Sequence, residues 1–166
     1  MQGGNRTAPA AEASYSTETI RLLAMKSVQT ELAITATELT ALGTIAQGLQ
    51  SASTTEESAL TAVAKVLTAA QVTRLKELLV QDMGYGSLAI ASIREDLKLS
   101  TEQTTRITTI VASLASSKAA LQGTTTDRST VQRLTAAASA QMGKVLTADQ
   151  DAELRARAGK AVGTSP

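Results

Sequence analysis

The sequence contains neither cysteine nor histidine, and both absences exclude kinds of chemistry. Without Cys or His among its 166 residues, the chain has no thiol nucleophile, no disulfide, no zinc or iron–sulfur ligands of the usual types and no histidine for acid–base catalysis. Aromatic residues amount to 1%, with no Trp and no Phe, so the flat surfaces that stack on bases or planar cofactors are missing. We therefore expect no catalytic residues, no metal and no cofactor.

A strong charge of one sign and a long apolar run are also missing. The 16 basic residues nearly cancel the 15 acidic residues, so no net field favours nucleic acid. No uninterrupted apolar run approaches the roughly 18 residues that a membrane-spanning helix requires. With 43% hydrophobic residues, the chain can form one modest core or a thin helical array. These features predict a protein with no nucleic-acid partner and no stable membrane insertion.

One motif recurs: an aliphatic residue, then Ser or Thr, then Glu or Gln three positions further on. In this capping box the hydroxyl accepts a bond from the later backbone amide, and the Glu or Gln side chain returns to the cap amide. Each box heads apolar residues spaced three and four apart, and no stretch alternates with period two, so we predict an all-α fold. The boxes comprise Ile34, Thr35 and Glu38; Leu67, Thr68 and Gln71; Leu99, Ser100 and Gln103; Leu146, Thr147 and Gln150.

Glycines and polar segments predict where the helices end. Gly84 and Gly123 follow apolar stripes, where a left-handed C-cap is favoured, and Asp127 is placed to cap a further helix. We expect short loops that join antiparallel helical hairpins into an elongated fold. These loops comprise residues 51–57, 85–87 and 124–127.

Two blocks of the sequence occur twice in the same order. Residues 27–35 align with residues 92–100, and residues 65–71 align with residues 144–150. The offset is 65 residues for the first block and 79 for the second, so the second copy has a longer central hairpin. We predict two repeats of one helical unit. The expected organisation is a flexible lead-in, two repeats and a tail, at residues 1–16, 17–83, 84–158 and 159–166.

Two of the boxes resemble the LTxxQ motif of the Spy/CpxP-like family of exported bacterial stress proteins and chaperones. These boxes are the ones at Thr68 and Thr147, and the segment ending in the Ser100 box resembles a variant of the same motif. The resemblance extends from about Ser27 to Leu154.

The resemblance implies an extended all-α fold, a cradle-shaped homodimer, and a periplasmic location after removal of a signal peptide. It also implies ATP-independent binding of unfolded or envelope proteins. This chain departs from the family in having no His, less charge and more Thr and Ala. A role in metal response is therefore not expected.

A basic stripe is the candidate protein-binding face. Arg94, Lys98 and Arg106 recur at helical spacing and can line one side of a concave surface beside Leu97 and Ile107. An ordinary solvated stripe is the alternative interpretation. For the LTxxQ residues themselves, helix capping accounts for the residue types and their spacing.

Adjacent carboxylates and a lone tyrosine are the remaining candidates for chemistry. Glu56 and Glu57, like Glu95 and Asp96, are neighbours whose side chains point about 100° apart on a helix, so neither pair shares a site. We interpret them as solvated or as complements to the helix dipole. Tyr85 lies between two glycines, where we expect it to fill the junction of the repeats.

Two functions remain open at this level. The first is an exported chaperone-like protein that dimerises and binds unfolded or envelope proteins on an amphipathic concave face. The second is a structural subunit that assembles with itself or with a larger envelope complex, which the low net charge favours. An enzyme is not expected, because no nucleophile, base and oxyanion donor can be assembled from these residues.

Overall fold

The computed structural model describes residues 17–49, 54–121 and 128–159. Within these ranges the chain forms α-helices, one 3-10 helix and turns, without a strand, which confirms the all-α prediction. The elements are α1 Glu18–Ala24, α2 Lys26–Glu31, α3 Ala36–Gly48, α4 Glu56–Val63, α5 Ala69–Met83, the 3-10 helix Gly84–Ala89, α6 Ala91–Asp96, α7 Thr101–Leu121, α8 Arg128–Gly143 and α9 Ala148–Ala158.

Some predicted features lie outside the described residues. The lead-in at residues 1–16, the loop at residues 124–127 and all of the tail except Gly159 are among them. Gly123 and Asp127 also fall there.

The predicted capping boxes begin α3, α5, α7 and α9. Thr35, Thr68 and Thr147 each form the complete reciprocal box. At the fourth site, Gln103 N donates to Ser100 Oγ at 3.2 Å, and Ser100 N donates to Gln103 Oε1 at 2.9 Å. Since each box needs only residues within one turn, the pattern predicts these helix starts correctly.

A further helix begins inside a segment that we expected to be a loop. α4 starts at Glu56, and Thr55 and Ser58 form its capping box. The prediction of a loop over residues 51–57 is therefore wrong at its end. The box went unrecognised because Ser, rather than Glu or Gln, occupies the third helical position.

Two turns end their helices with a residue in the left-handed region. Ala33 has φ 49° and Lys98 has φ 51°. After Ala33, Ile34 N donates to Gln29 O at 2.9 Å; after Lys98, Leu99 N donates to Arg94 O at 3.1 Å. This is the Schellman arrangement, which usually has glycine at the left-handed position. Neither turn contains glycine, so the residue that usually indicates such a turn in a sequence was absent.

The core is built around α5. This helix buries Leu75, Leu78, Leu79 and Val80 and packs against α1, α9 and the 3-10 helix. It ends at Met83, and the C-cap Gly84 has the positive φ of a left-handed cap, 54°, but a ψ of −129° that lies outside the expected left-handed helical region. The segment at residues 85–87 is not the loop that we expected, because it continues as the 3-10 helix.

The longest helix, α7, buries few of its own residues. Ile107 is its one buried residue, and α7 packs mainly against α8. In α8 the buried residues lie toward the C-terminal end, at Ala138 and Met142. In α3, Leu42 is buried, whereas Leu39 is 44% exposed.

Candidate functional site

The boxes that begin α3 and α5 lie side by side and are joined by one side chain. Gln71 Oε1 accepts a bond from Thr68 N at 2.7 Å, which completes the cap of α5. Its Nε2 donates to Leu32 O at 3.0 Å and to Glu38 Oε2 at 3.5 Å. Gln71 therefore caps its own helix and also binds the end of α2 and the cap of α3.

The boxes that begin α7 and α9 are joined in the same way. Gln103 Nε2 donates to Gln150 Oε1 at 2.7 Å, and Gln150 Nε2 donates back to Gln103 Oε1 at 3.3 Å. Gln103 also donates to Val145 O at 2.9 Å, and Gln150 donates to Leu97 O at 3.5 Å. The polar residues of these boxes thus bind other helices of the same chain.

The aliphatic residues of the predicted motif belong to the interior. Leu67 is buried, while Leu99 and Leu146 are half-buried and pack against the core. In each box the capping hydroxyl residue, Thr68, Ser100 or Thr147, is exposed at the helix start. The arrangement joins helices, and the box that begins α9 borders an open groove lined by Leu146 and Thr147.

The predicted protein-binding face is not assembled as we expected. Leu97 and Ile107 are 2% and 0% exposed, so they belong to the core and cannot contact a partner. Lys98 and Arg106 are exposed, but Arg94 Nη1 donates to Leu88 O at 2.6 Å. Lys98 lies in the turn between α6 and α7 with φ 51°, so these residues do not share the face of one helix as their spacing suggested.

Glu56 and Glu57 each contact the first turn of a different helix. The Glu56 carboxylate accepts bonds from Glu18 N, from Thr19 N at 3.1 Å and from Thr19 Oγ1 at 3.0 Å, all at the start of α1. Glu57 Oε2 accepts a bond from Ser92 N at 3.3 Å, in the first turn of α6. The sequence interpretation missed both contacts, although the angle between adjacent side chains on a helix explains why the two residues reach different partners.

Arg21 connects α1 to α5. Its guanidinium pairs with Glu18 on the same helix, and its Nη2 lies 2.7 Å from Asp82 Oδ1. Burial raises the pKa of Glu18, and the neighbouring Asp82 raises it further. The contact therefore places two carboxylates around one cation.

Tyr85 connects the 3-10 helix to α9. Its hydroxyl donates to Asp151 Oδ1 at 2.6 Å and accepts a bond from Arg155 Nη2 at 2.8 Å. The hydrogen bond to Asp151 raises the pKa of Tyr85, and the same bond lowers the pKa of Asp151. The ring lies against Gly143 of α8, so Tyr85 connects the 3-10 helix to both α8 and α9.

Two open grooves adjoin these contacts. One, of about 370 Å³, lies beside Tyr85 and is lined by Lys144 and Asp151 among others. The second, of about 270 Å³, lies at the junction of α1, α2 and α5, beside Met25 and Asp82. Each groove has a wall of apolar side chains and a rim that carries both signs of charge.

The surface of the described chain offers little else for recognition. Among its large hydrophobic residues, the exposed ones are Met25 and Leu39. In the same residues no cluster of three or more acidic side chains is arranged to hold a metal ion. None of the helices described is long and apolar enough to cross a membrane.

Comparison with known proteins adds no assignment. No family model, no curated protein and no solved structure matches this chain. A functional interpretation therefore rests on the residues and contacts described above.

Proposed function

We propose that this protein is an ATP-independent, chaperone-like binding protein of the Spy/CpxP-like kind, which acts in the periplasm on unfolded or envelope proteins. The observation that carries the proposal is the joining of the capping boxes in pairs through Gln71 and Gln150. These are the glutamines of the two LTxxQ elements, so the residues that carry the resemblance are also the ones that connect the helices.

The proposal includes an internal duplication. The left-handed residues Ala33 and Lys98 are 65 positions apart, the offset of the first sequence block. The acceptors of the two LTxxQ glutamines, Leu32 O and Leu97 O, are separated by the same offset. Similar turns and similar contacts at these offsets support two copies of one helical unit.

The carboxylate of Glu56 and the hydroxyl of Tyr85 are already hydrogen-bonded within the protein, which supports a binding function rather than catalysis. Glu56 is committed to backbone amides of α1, and Tyr85 is committed to Asp151 and Arg155. The groove beside Tyr85 and the groove at the junction of α1, α2 and α5 are open, whereas catalysis usually needs an enclosed site from which water is excluded. We therefore propose no enzymatic activity.

A test of the function is protection of unfolded clients. Several unrelated proteins are unfolded chemically and diluted with the purified protein at equimolar ratio without ATP, and light scattering follows their aggregation. We expect slower aggregation for most clients and no effect from serum albumin at the same mass concentration. Failure to delay the aggregation of every client would refute the proposal.

A structural subunit is a second candidate, and the observation that favours it is the exposure of α7. This helix has 21 residues, and Ile107 is the one that is buried within the single chain. Its other faces carry mostly Ala, Ser and Thr, which let helices of separate chains approach closely. Light scattering coupled to gel filtration over a wide concentration range distinguishes the candidates: a stable dimer supports the cradle, and growth into large particles supports the subunit.

A further inference from the structure

The helix α1 covers part of the apolar core with a short segment. It buries Ile20, Leu22 and Leu23 and packs against α4 and α5 as well as α2. The inward residues of α4 and α5, including Leu60 and Leu79, belong to the same core cluster. Removal of α1 would therefore expose aliphatic surface on a molecule that otherwise exposes little of it.

The length of α1 and its connection to α2 would allow α1 to detach from the core while α2 stays folded. It has seven residues, and a helix of that length does not persist in water without tertiary contacts. Met25 separates it from α2 with an extended backbone, φ −79° and ψ 126°, and is 41% exposed. A rotation at Met25 would move α1 while the backbone hydrogen bonds of α2 stay intact, and it would break the bond that Gln29 Nε2 donates to Leu23 O at 2.8 Å.

The corresponding segment in the second half of the chain is held more firmly. The 3-10 helix follows α5 directly and packs against α6, α7 and α8. The 3-10 helix has two fully buried residues, Ser87 and Leu88, and the Ile90 that follows it is also fully buried. Ile90 lies 65 positions after the exposed Met25, so the two residues correspond in the proposed repeats. α1 packs against fewer elements than the 3-10 helix does and is the less enclosed of the two segments, although it buries the three aliphatic side chains of Ile20, Leu22 and Leu23.

The polar contacts of α1 determine what would replace it. Glu56 binds the start of α1, and Asp82 binds Arg21 in its middle. Without α1, these two carboxylates would border an aliphatic surface. Glu56 would lose the hydrogen-bond donors at the start of α1, and Asp82 would lose the guanidinium of Arg21. Such a surface is complementary to an aliphatic segment that carries Arg or Lys.

We propose that α1 is a displaceable strap, hinged at Met25, and that its release opens a docking surface on α4 and α5 for basic, aliphatic segments of client proteins. This inference rests on the proposed function, because it identifies where clients bind and which segments they present. It also explains how a protein with little exposed apolar surface would bind unfolded chains.

The experiment compares the full-length wild type with Arg21→Met and with Arg155→Met. The first substitution removes the link to Asp82, and the second makes the same chemical change at an exposed contact of α9. Hydrogen exchange read by mass spectrometry reports the opening of residues 18–24. We expect at least tenfold faster exchange there in R21M, with R155M equal to wild type, and protection of clients by R21M at a lower molar ratio.

The client segment is tested with a pair of synthetic peptides. One has the sequence of residues 17–25 with Gln in place of Glu18, so that Arg21 is its one charged side chain, and the other carries Glu in place of Arg21 as well. We expect the first to bind R21M at least tenfold more tightly than the second. Equal binding of the two peptides would overturn the proposed surface.

A second pair of variants covers the case in which R21M fails to fold. Glu56→Gln weakens the contacts at the start of α1, and Glu57→Gln makes the same change for α6. Faster exchange over residues 18–24 in E56Q alone supports the strap, and unchanged exchange overturns it. If the wild type protects clients and the released variant does no better, the strap is wrong and the proposed function survives. If no variant protects any client, the proposed function fails, and with it the client role of the strap.

Discussion

Gln103 and Gln150 exchange hydrogen bonds through their side-chain amides, at 2.7 Å in one direction and 3.3 Å in the other. Each amide oxygen also accepts a bond from the backbone of its own cap, at Ser100 and at Thr147. The two residues are 47 positions apart in the chain. One pair of side chains therefore sets the relative position of the starts of α7 and α9.

Replacing Gln150 by Glu tests this pair. Glu keeps an oxygen for the cap amide but cannot donate to Gln103 or to Leu97 O, so two acceptors in a half-buried site lose a donor. We expect a loss of about 1–3 kcal/mol in the free energy of unfolding, measured with urea. Gln132→Glu is the control, because Gln132 is exposed on α8, and it should change stability by no more than about 0.5 kcal/mol. Equal effects would show that the amide pair contributes nothing specific.

Replacing Gly143 by Ala tests the contact with Tyr85. A Cβ at this position would lie 3.0 Å from two ring atoms, so the ring would have to shift by a few tenths of an ångström, which disturbs its bonds to Asp151 and Arg155. We expect a loss of about 1–2 kcal/mol, measured by thermal or urea unfolding.

The matched control for this substitution is Gly43→Ala, in α3. Nothing lies within 4 Å of a Cβ there, so the higher helix propensity of Ala should stabilise the protein by about 0.5–1 kcal/mol. Combining Tyr85→Ala with Gly143→Ala should remove most of the cost of the glycine substitution. Additive effects in the double variant would contradict the steric explanation.

Glycine at the left-handed turns should stabilise the protein. Ala33→Gly and Lys98→Gly relieve an unfavourable backbone conformation, and we expect each to add about 0.5–1 kcal/mol to the free energy of unfolding. Ala112→Gly, on the exposed face of α7, should instead cost about 1 kcal/mol. Destabilisation by all three substitutions would show that the turns are not strained.

The stability should depend on the protonation of Glu38. Bonds from the backbone amide and then the hydroxyl of Thr35 hold the pKa of Glu38 below its ordinary value. The folded state then binds fewer protons than the unfolded state, so the contribution is present above the ordinary pKa and is lost as the pH falls through the lowered one.

The variant Glu38→Gln isolates this effect, because Gln also completes a capping box in this chain. We expect the urea midpoint of the wild type to fall more steeply than that of E38Q as the pH is lowered through the acidic range of a glutamate. Parallel curves for the two proteins would mean that the charge of Glu38 does not contribute.

The helix starts could be predicted because their causes are local. The boxes at Thr35, Thr68, Ser100 and Thr147 need only residues within one turn, and each begins a helix. The prediction failed at Thr55, where an uncommon residue completes the box. For the candidate binding face, periodicity indicated neither the break between α6 and α7 at Lys98 nor the buried state of Leu97, which depends on the other helices.

The sequence by itself determined the all-α class, the starts of α3, α5, α7 and α9 and the exclusion of thiol and histidine chemistry, because these follow from composition and from contacts within one turn. Only the tertiary structure decided which turns are buried and which polar groups meet. Gln103 with Gln150, Glu56 with Thr19 and Tyr85 with Asp151 are pairs separated by 37 to 66 positions. The packing of apolar faces brings such residues together, and no local pattern in the sequence records which faces will meet.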